Sequence, residues 1–178
     1  MGQFLTENVR IEQTNKLGYF KTLDNELFMD DDGTLYITPR YFWTDGYTFP
    51  RLVMVILGDK NRYNVRPAHA HDLFCRFHQC IKINLSLTQL RMMGLLREHK
   101  GKTVCEDIPI EHLEVVSISK WEADELFKRM MKACEIDKKT RRVIRFGVLF
   151  NIGWYLDKIG DLTNYDLFIS DIGLINGV

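Results

Sequence analysis

Apolar and polar positions change their period near residue 50. Residues 3–43 alternate more than they follow helical spacing, and within them "ELFMDDDGTLYITPRYFW" (26–43) sets two β-like runs around Asp-Asp-Gly. That combination predicts a hairpin. After Pro50, "RLVMVILG" (51–58) reads as a short helix ending at Gly58, followed by the polar link "DKNRYNVR". Pro67 sits where a first helical turn accepts proline, and "AHAHDLFCRFHQCIKI" (68–83) reads as the next helix. Ser86 or Asn84 can cap "LTQLRMMGLLREHKG", which stops at Gly101. Ser119 opens "KWEADELFKRMMKACEI", with Glu122 completing a capping box. "KKTRRVIRFGVLFNIGWYLDKIG" (138–160) is the last long helix, stopping at Gly160, and the weakly patterned tail 161–178 reads as an extended cover.

The predicted class is therefore α+β: a small N-terminal antiparallel sheet or hairpins followed by four to five packed helices. With no internal repeat and no linker, residues 1–178 read as a single domain, β-rich over 1–50 and helical over 51–160. A chain of 178 residues can bury a sizeable core, and 46% hydrophobic with 27% charged residues is a globular composition. Lys+Arg and Asp+Glu balance at 24 each, so no global field draws the chain to nucleic acid or an anionic membrane; such a partner would need a local patch, and none is expected. Cys75, Cys80, Cys105 and Cys134 form no CxxC pair, and "MGQFLTENVRIEQ" lacks the pattern of a secretory signal, which together favour a reducing cytoplasm. "VIRFGVLFNIGWYL" (143–156) is apolar but too short for a span and carries Arg145 and Asn151, so no transmembrane segment is expected.

Candidate chemistry gathers where the two halves meet. On a helix His71 and Asp72 point to neighbouring faces; His71 shares a stripe with Phe74, Cys75 and His78, and Asp72 pairs in spacing with Arg76. Asp124 lies at the edge of the apolar stripe Ala123, Leu126, Phe127, Met130 and Cys134. Upstream, "TDGYTFPR" (44–51) is an acidic turn that can bring Asp45 over the helix bearing His71. A histidine with two or three carboxylates can hold a divalent metal, through Asp72, His71, Asp124 and Asp45, with His69 as a further candidate. Alternatively, one carboxylate orients the imidazole as a general base, with His71, Asp124 and Asp45 as the catalytic candidates. The same residues also admit a structural role, with Asp72 bonded to Arg76, Asp124 capping or pairing, and His71 a hydrogen-bonded core residue. "DDDG" lacks the spaced oxygens and closing glutamate of a calcium-binding EF-hand, and is read as a turn.

In order, "TDGYTFPR", "PAHAHDLFCR", "ADELFKRMM" and "RVIRFGVLFNIGW" resemble the successive blocks of a phage and prophage family catalogued as domain of unknown function 1353. The matching positions are Thr44, Asp45, Gly46, Pro50, Arg51, His71, Asp72, Arg76, Asp124, Phe127, Met131, Gly147 and Trp154. The resemblance covers roughly residues 20–156; Tyr47, Phe49, the "LFCR" end and the extra His69 depart from it. It implies phage origin, hence the cytoplasm of an infected bacterium, and a shared cluster of Asp45, His71, Asp72 and Asp124, without an activity. Partial echoes of His-Asp metal phosphohydrolases and of secreted phospholipases A2 point to hydrolysis by analogy of site alone.

Two functions follow as expectations. One is a phage-encoded, metal-assisted hydrolase of an ester or phosphoester, its divalent ion unidentified. The other is a non-catalytic accessory protein that binds a host or virion protein, with Tyr41, Trp43 and Tyr47 as interface candidates, or binds a small signalling metabolite as a counter-defence factor.

Overall fold

The computed structural model describes residues 2–7, 10–13, 20–44 and 64–149. Along the chain run β1 (Gln3–Phe4), β2 (Ile11–Gln13), β3 (Phe20–Thr22), β4 (Glu26–Met29), β5 (Leu35–Thr38) and β6 (Trp43–Thr44). Then come α1 (Arg66–Phe77), β7 (Gln79–Ile83), α2 (Leu87–Met92), β8 (Leu96–His99), β9 (Lys102–Cys105), a 3-10 turn (Ile110–His112), β10 (Leu113–Ser117), α3 (Lys120–Ala133) and α4 (Lys138–Leu149). The strands make three antiparallel sheets: β1-β4-β5-β7-β10, β2-β3-β6, and the hairpin β8-β9.

The β4–β5 hairpin forms as its pattern predicts. Gly33 supplies φ +86 in the turn, and Asp32 Oδ1 accepts the Thr34 amide at 2.9 Å. Register then sorts the side chains. Leu27 opposes Ile37 and Leu35 opposes Ile83, so these share one face with Ile81, beside Ile108 and Leu113. Glu26, Phe28 and Tyr36 take the other face, toward the helices. Helices α1 and α3 pack together above it, burying Leu73, Phe74, Phe77, Ala123, Leu126 and Met130 in the core they share with the sheet.

The expected order, a sheet followed by four to five helices, is corrected: among the described residues, four of the ten strands lie after residue 78, inside the stretch read as helical. The reasons are local. Helix α1 stops at Phe77 because His78 turns left-handed (φ +53) and gives its amide to Phe74 O at 2.8 Å. The following "QCIKI" alternates and extends beside β5 and β10. Ser86 does cap α2, with Gln89 closing the capping box, but the helix ends at Met92, just before left-handed Gly94 (φ +71). "LREHKGKTVC" is then a hairpin. Lys100 (φ +52) and Gly101 (φ +73) have the two positive φ values of a type I′ turn, so Gly101 closes a hairpin rather than a helix.

The last two helices follow their patterns. Ser119 and Glu122 form the capping box at the start of α3, and α4 begins at Lys138. The expected helix at 51–58, the turn at 45–50, the continuation of α4 to Gly160 and the tail 161–178 lie outside the described residues. No described helix is long and apolar enough to cross a membrane.

The Lys100–Gly101 turn makes a simple test of this correction. A Cβ on Gly101 would meet nothing within 4 Å, so Gly101→Ala should cost only the left-handed backbone penalty, about 1–2 kcal/mol. Lys100→Asn should stabilise, since asparagine favours that turn position. Urea midpoints of the two variants moving in opposite directions would confirm the hairpin; a neutral Gly101→Ala would restore the helical assignment.

Candidate functional site

Successive residues on α1 turn by about 100°, and the structure sends its polar side chains in three directions. His69 faces the sheet, where its Nδ1 lies 2.5 Å from Glu26 Oε1; both side chains are almost wholly buried. His71 faces α3, where Nε2 donates to Asp124 Oδ1 at 3.3 Å, and its ring packs on Phe127 with centroids 4.5 Å apart. Asp72 faces β6 and accepts a hydrogen bond from the Thr44 hydroxyl. Arg76, one turn on, donates to the Trp43 carbonyl at 2.5 Å.

Asp124 is the hub. It sits at the edge of the buried stripe of α3, and its second oxygen accepts from Lys120 Nζ at 2.7 Å, one turn earlier on the same helix. Burial works to raise its carboxyl, but the hydrogen bonds from His71 and Lys120, with their charges, outweigh that and hold it below the usual carboxylate range. A sulfur completes the row: Cys75 Sγ lies 3.5 Å from His71 Nδ1. Cysteine, histidine and aspartate in sequence have the order of nucleophile, base and orienting carboxylate. The details oppose that chemistry. The sulfur is also 3.7 Å from Nε2, so it lies alongside the ring instead of on the lone-pair axis of either nitrogen. Burial, then the charges of Asp72 and Asp124, push the thiol well above its ordinary range, away from the reactive thiolate.

Of the sequence candidates, then, His71 and Asp124 meet directly, Asp72 turns to β6, and His69 belongs to a separate pair with Glu26. Asp45 lies outside the described residues. The described donors do not fit a divalent ion. Both Asp124 oxygens are engaged, one by an ammonium that would repel a cation, and among the described residues no three His, Cys, Asp or Glu side chains are placed to hold a metal ion. Sequence reasoning missed Glu26 and Lys120, and placed Cys75 on the stripe of His71 without giving it a role. Lys120 had a signal: it stands one helical turn from Asp124. Glu26 had a subtler one, an acidic residue on the strand face it shares with Phe28, which must be paired if buried.

The His69–Glu26 pair should make stability depend on pH. Burial works to lower the His69 pKa, but the charge and hydrogen bond of Glu26, with the charge of Asp72, outweigh it and raise the value above the ordinary one. A raised folded pKa stabilises fully below the unfolded value of about 6.5 and loses that contribution as pH rises through the folded value. The deficit of Glu26→Gln in denaturant melts should accordingly be largest on the acid side of pH 6 and shrink toward alkaline pH; a deficit growing with pH would refute the pairing.

Comparison with protein-family models, with curated proteins and with solved structures returned no match for this chain.

Proposed function

We propose that the protein acts by binding and not by catalysis, as an accessory factor of the phage type that its sequence blocks resemble, working in the cytoplasm of an infected bacterium. One observation carries this reading: both oxygens of Asp124 are committed to His71 and Lys120 inside a helix–helix contact, which is the arrangement of a brace. A general base needs an open nitrogen and a water or substrate beside it. Here one ring nitrogen is bonded to Asp124, the thiol lies along the ring, and Phe127 packs against it at a tilt of 32°. The neighbouring polar residues of α1 likewise tie the helix to the sheet and to β6.

Thermal melts separate brace from metal site. His71→Ala and Asp124→Asn should each lower stability by about 1–3 kcal/mol, through buried partners left unpaired, and by the same amount with chelator, calcium, magnesium, manganese or zinc. Because the Asp124 pKa is depressed, its contribution is present above the unfolded value of about 4 and fades as pH falls through the lower folded value. The Asp124→Asn deficit should therefore close in acid. A rise of about 2.7 kcal/mol in the wild type at a hundredfold excess of one ion over its dissociation constant, abolished in both variants, would reinstate the metal-assisted hydrolase.

A further inference from the structure

The charge-neutral chain concentrates cations on one face. Helix α4 places Lys138, Arg141, Arg142 and Arg145 at i, i+3, i+4 and i+7, so they share a side, while Ile144 and Val148 pack inward against Phe127 and Met131. Across from them α3 contributes Lys128, Arg129 and Lys132, and the seven side chains line one groove of about 510 Å³. Two carboxylates answer them: Glu125 holds Lys128 at 3.0 Å and also Arg145, and Asp30 holds Arg129 at 2.9 Å. Lys132, Lys138, Arg141 and Arg142 carry no ion pair among the described residues. Like charges held this close repel one another, a standing cost that a bound polyanion removes.

An aromatic stands beside this groove, against Arg145 at its edge, and lines the neighbouring pocket with Glu122, Glu125 and Arg129. Trp121 is 67% exposed, and the Arg145 guanidinium lies 5.8 Å from its ring centroid. Trp121, Glu125, Lys128 and Lys132 fall at i, i+4, i+7 and i+11 on α3, a stripe roughly 16 Å long. Phosphates need the cations, but only a ligand with an open flat face gives the indole a task. Unpaired bases offer such faces, a duplex hides them within its stack, and an acidic peptide lacks them. Building on the binding role above, we propose that the α3–α4 groove holds single-stranded nucleic acid, with its cations on the phosphates and Trp121 stacked on a base.

The test uses the full chain and a fluorescein-labelled oligothymidylate of about 20 nucleotides, longer than the roughly 4–16 that one single-strand site covers, read by anisotropy from about 50 to 200 mM salt. Lys132→Glu with Arg142→Glu should weaken binding at least about tenfold and flatten the salt dependence, by about 0.7 in slope for each phosphate that is no longer neutralised. Trp121→Ala should weaken it about 5- to 100-fold with the slope unchanged, and Trp121→Phe should recover most of that loss. All three positions are exposed, so unchanged melting temperatures certify folded variants. No binding at the lowest salt, indifference to the charge reversal or to Trp121→Ala, or equal competition by duplex DNA or polyglutamate would overturn the assignment. Such a failure would leave the brace untouched, since that is judged by the metal-dependent melts.

Discussion

A carboxylate taken out of water must find cations or donors for its oxygens, and the packing of α1 is organised by that requirement. Asp124 is answered from two sides, by an imidazole on α1 and an ammonium on its own helix. Glu26, at the start of β4, is answered at one oxygen by His69 from the same α1, while its other oxygen has no partner among the described residues. One helix thus supplies both imidazoles, and their spacing of two residues turns one toward the sheet and the other toward α3. Apolar packing alone would let α1 roll or slide over Phe28 and Phe127. The two pairs remove that freedom, because a shift in either direction strands a buried charge.

This separates a few buried polar pairs, which fix how α1 packs in an apolar core, from one cationic face on α3 and α4. Glu125 lies one residue after Asp124 yet serves the outer surface, holding Lys128 and Arg145. Neighbouring acidic residues on one helix therefore do different work, one locking α3 to α1 and the other setting the spacing of cations beside Trp121. A protein of zero formal net charge can carry such a face only because the rest of the molecule carries a matching excess of carboxylates.

Legibility in the sequence follows the range of the interactions. The hairpin around Gly33 and the start of α3 at Ser119 are readable because their signals are complete within a few residues. "QCIKI" escapes such a reading because a short run rich in isoleucine and cysteine fits a helix as well as a strand, and "LREHKGKTVC" because its glycine also reads as the stop of a helix. What decides the first is one left-handed histidine and a strand some thirty residues away, and what decides the second is the left-handed pair Lys100 and Gly101. The approach of His71 to Asp124, across 53 positions, is foreshadowed by the edge of a helical stripe. The diversion of Asp72 and His69 depends on Thr44 and Glu26, whose inward orientation only the sheet register reveals.

The junction at His78 carries a consequence for how this chain can change in length. Helix α1 passes into β7 through that single left-handed residue. The rotational phase of the helix is thereby geared to the pleat of the sheet. One residue added or removed there would turn the whole of α1 by about 100° relative to β7 and invert the strand's alternation, unseating both histidines at once. Insertions and deletions accumulated over evolutionary time should accordingly be excluded from residues 77–79 and concentrate where the backbone has no such gearing, as at the exposed tip of the β8–β9 hairpin.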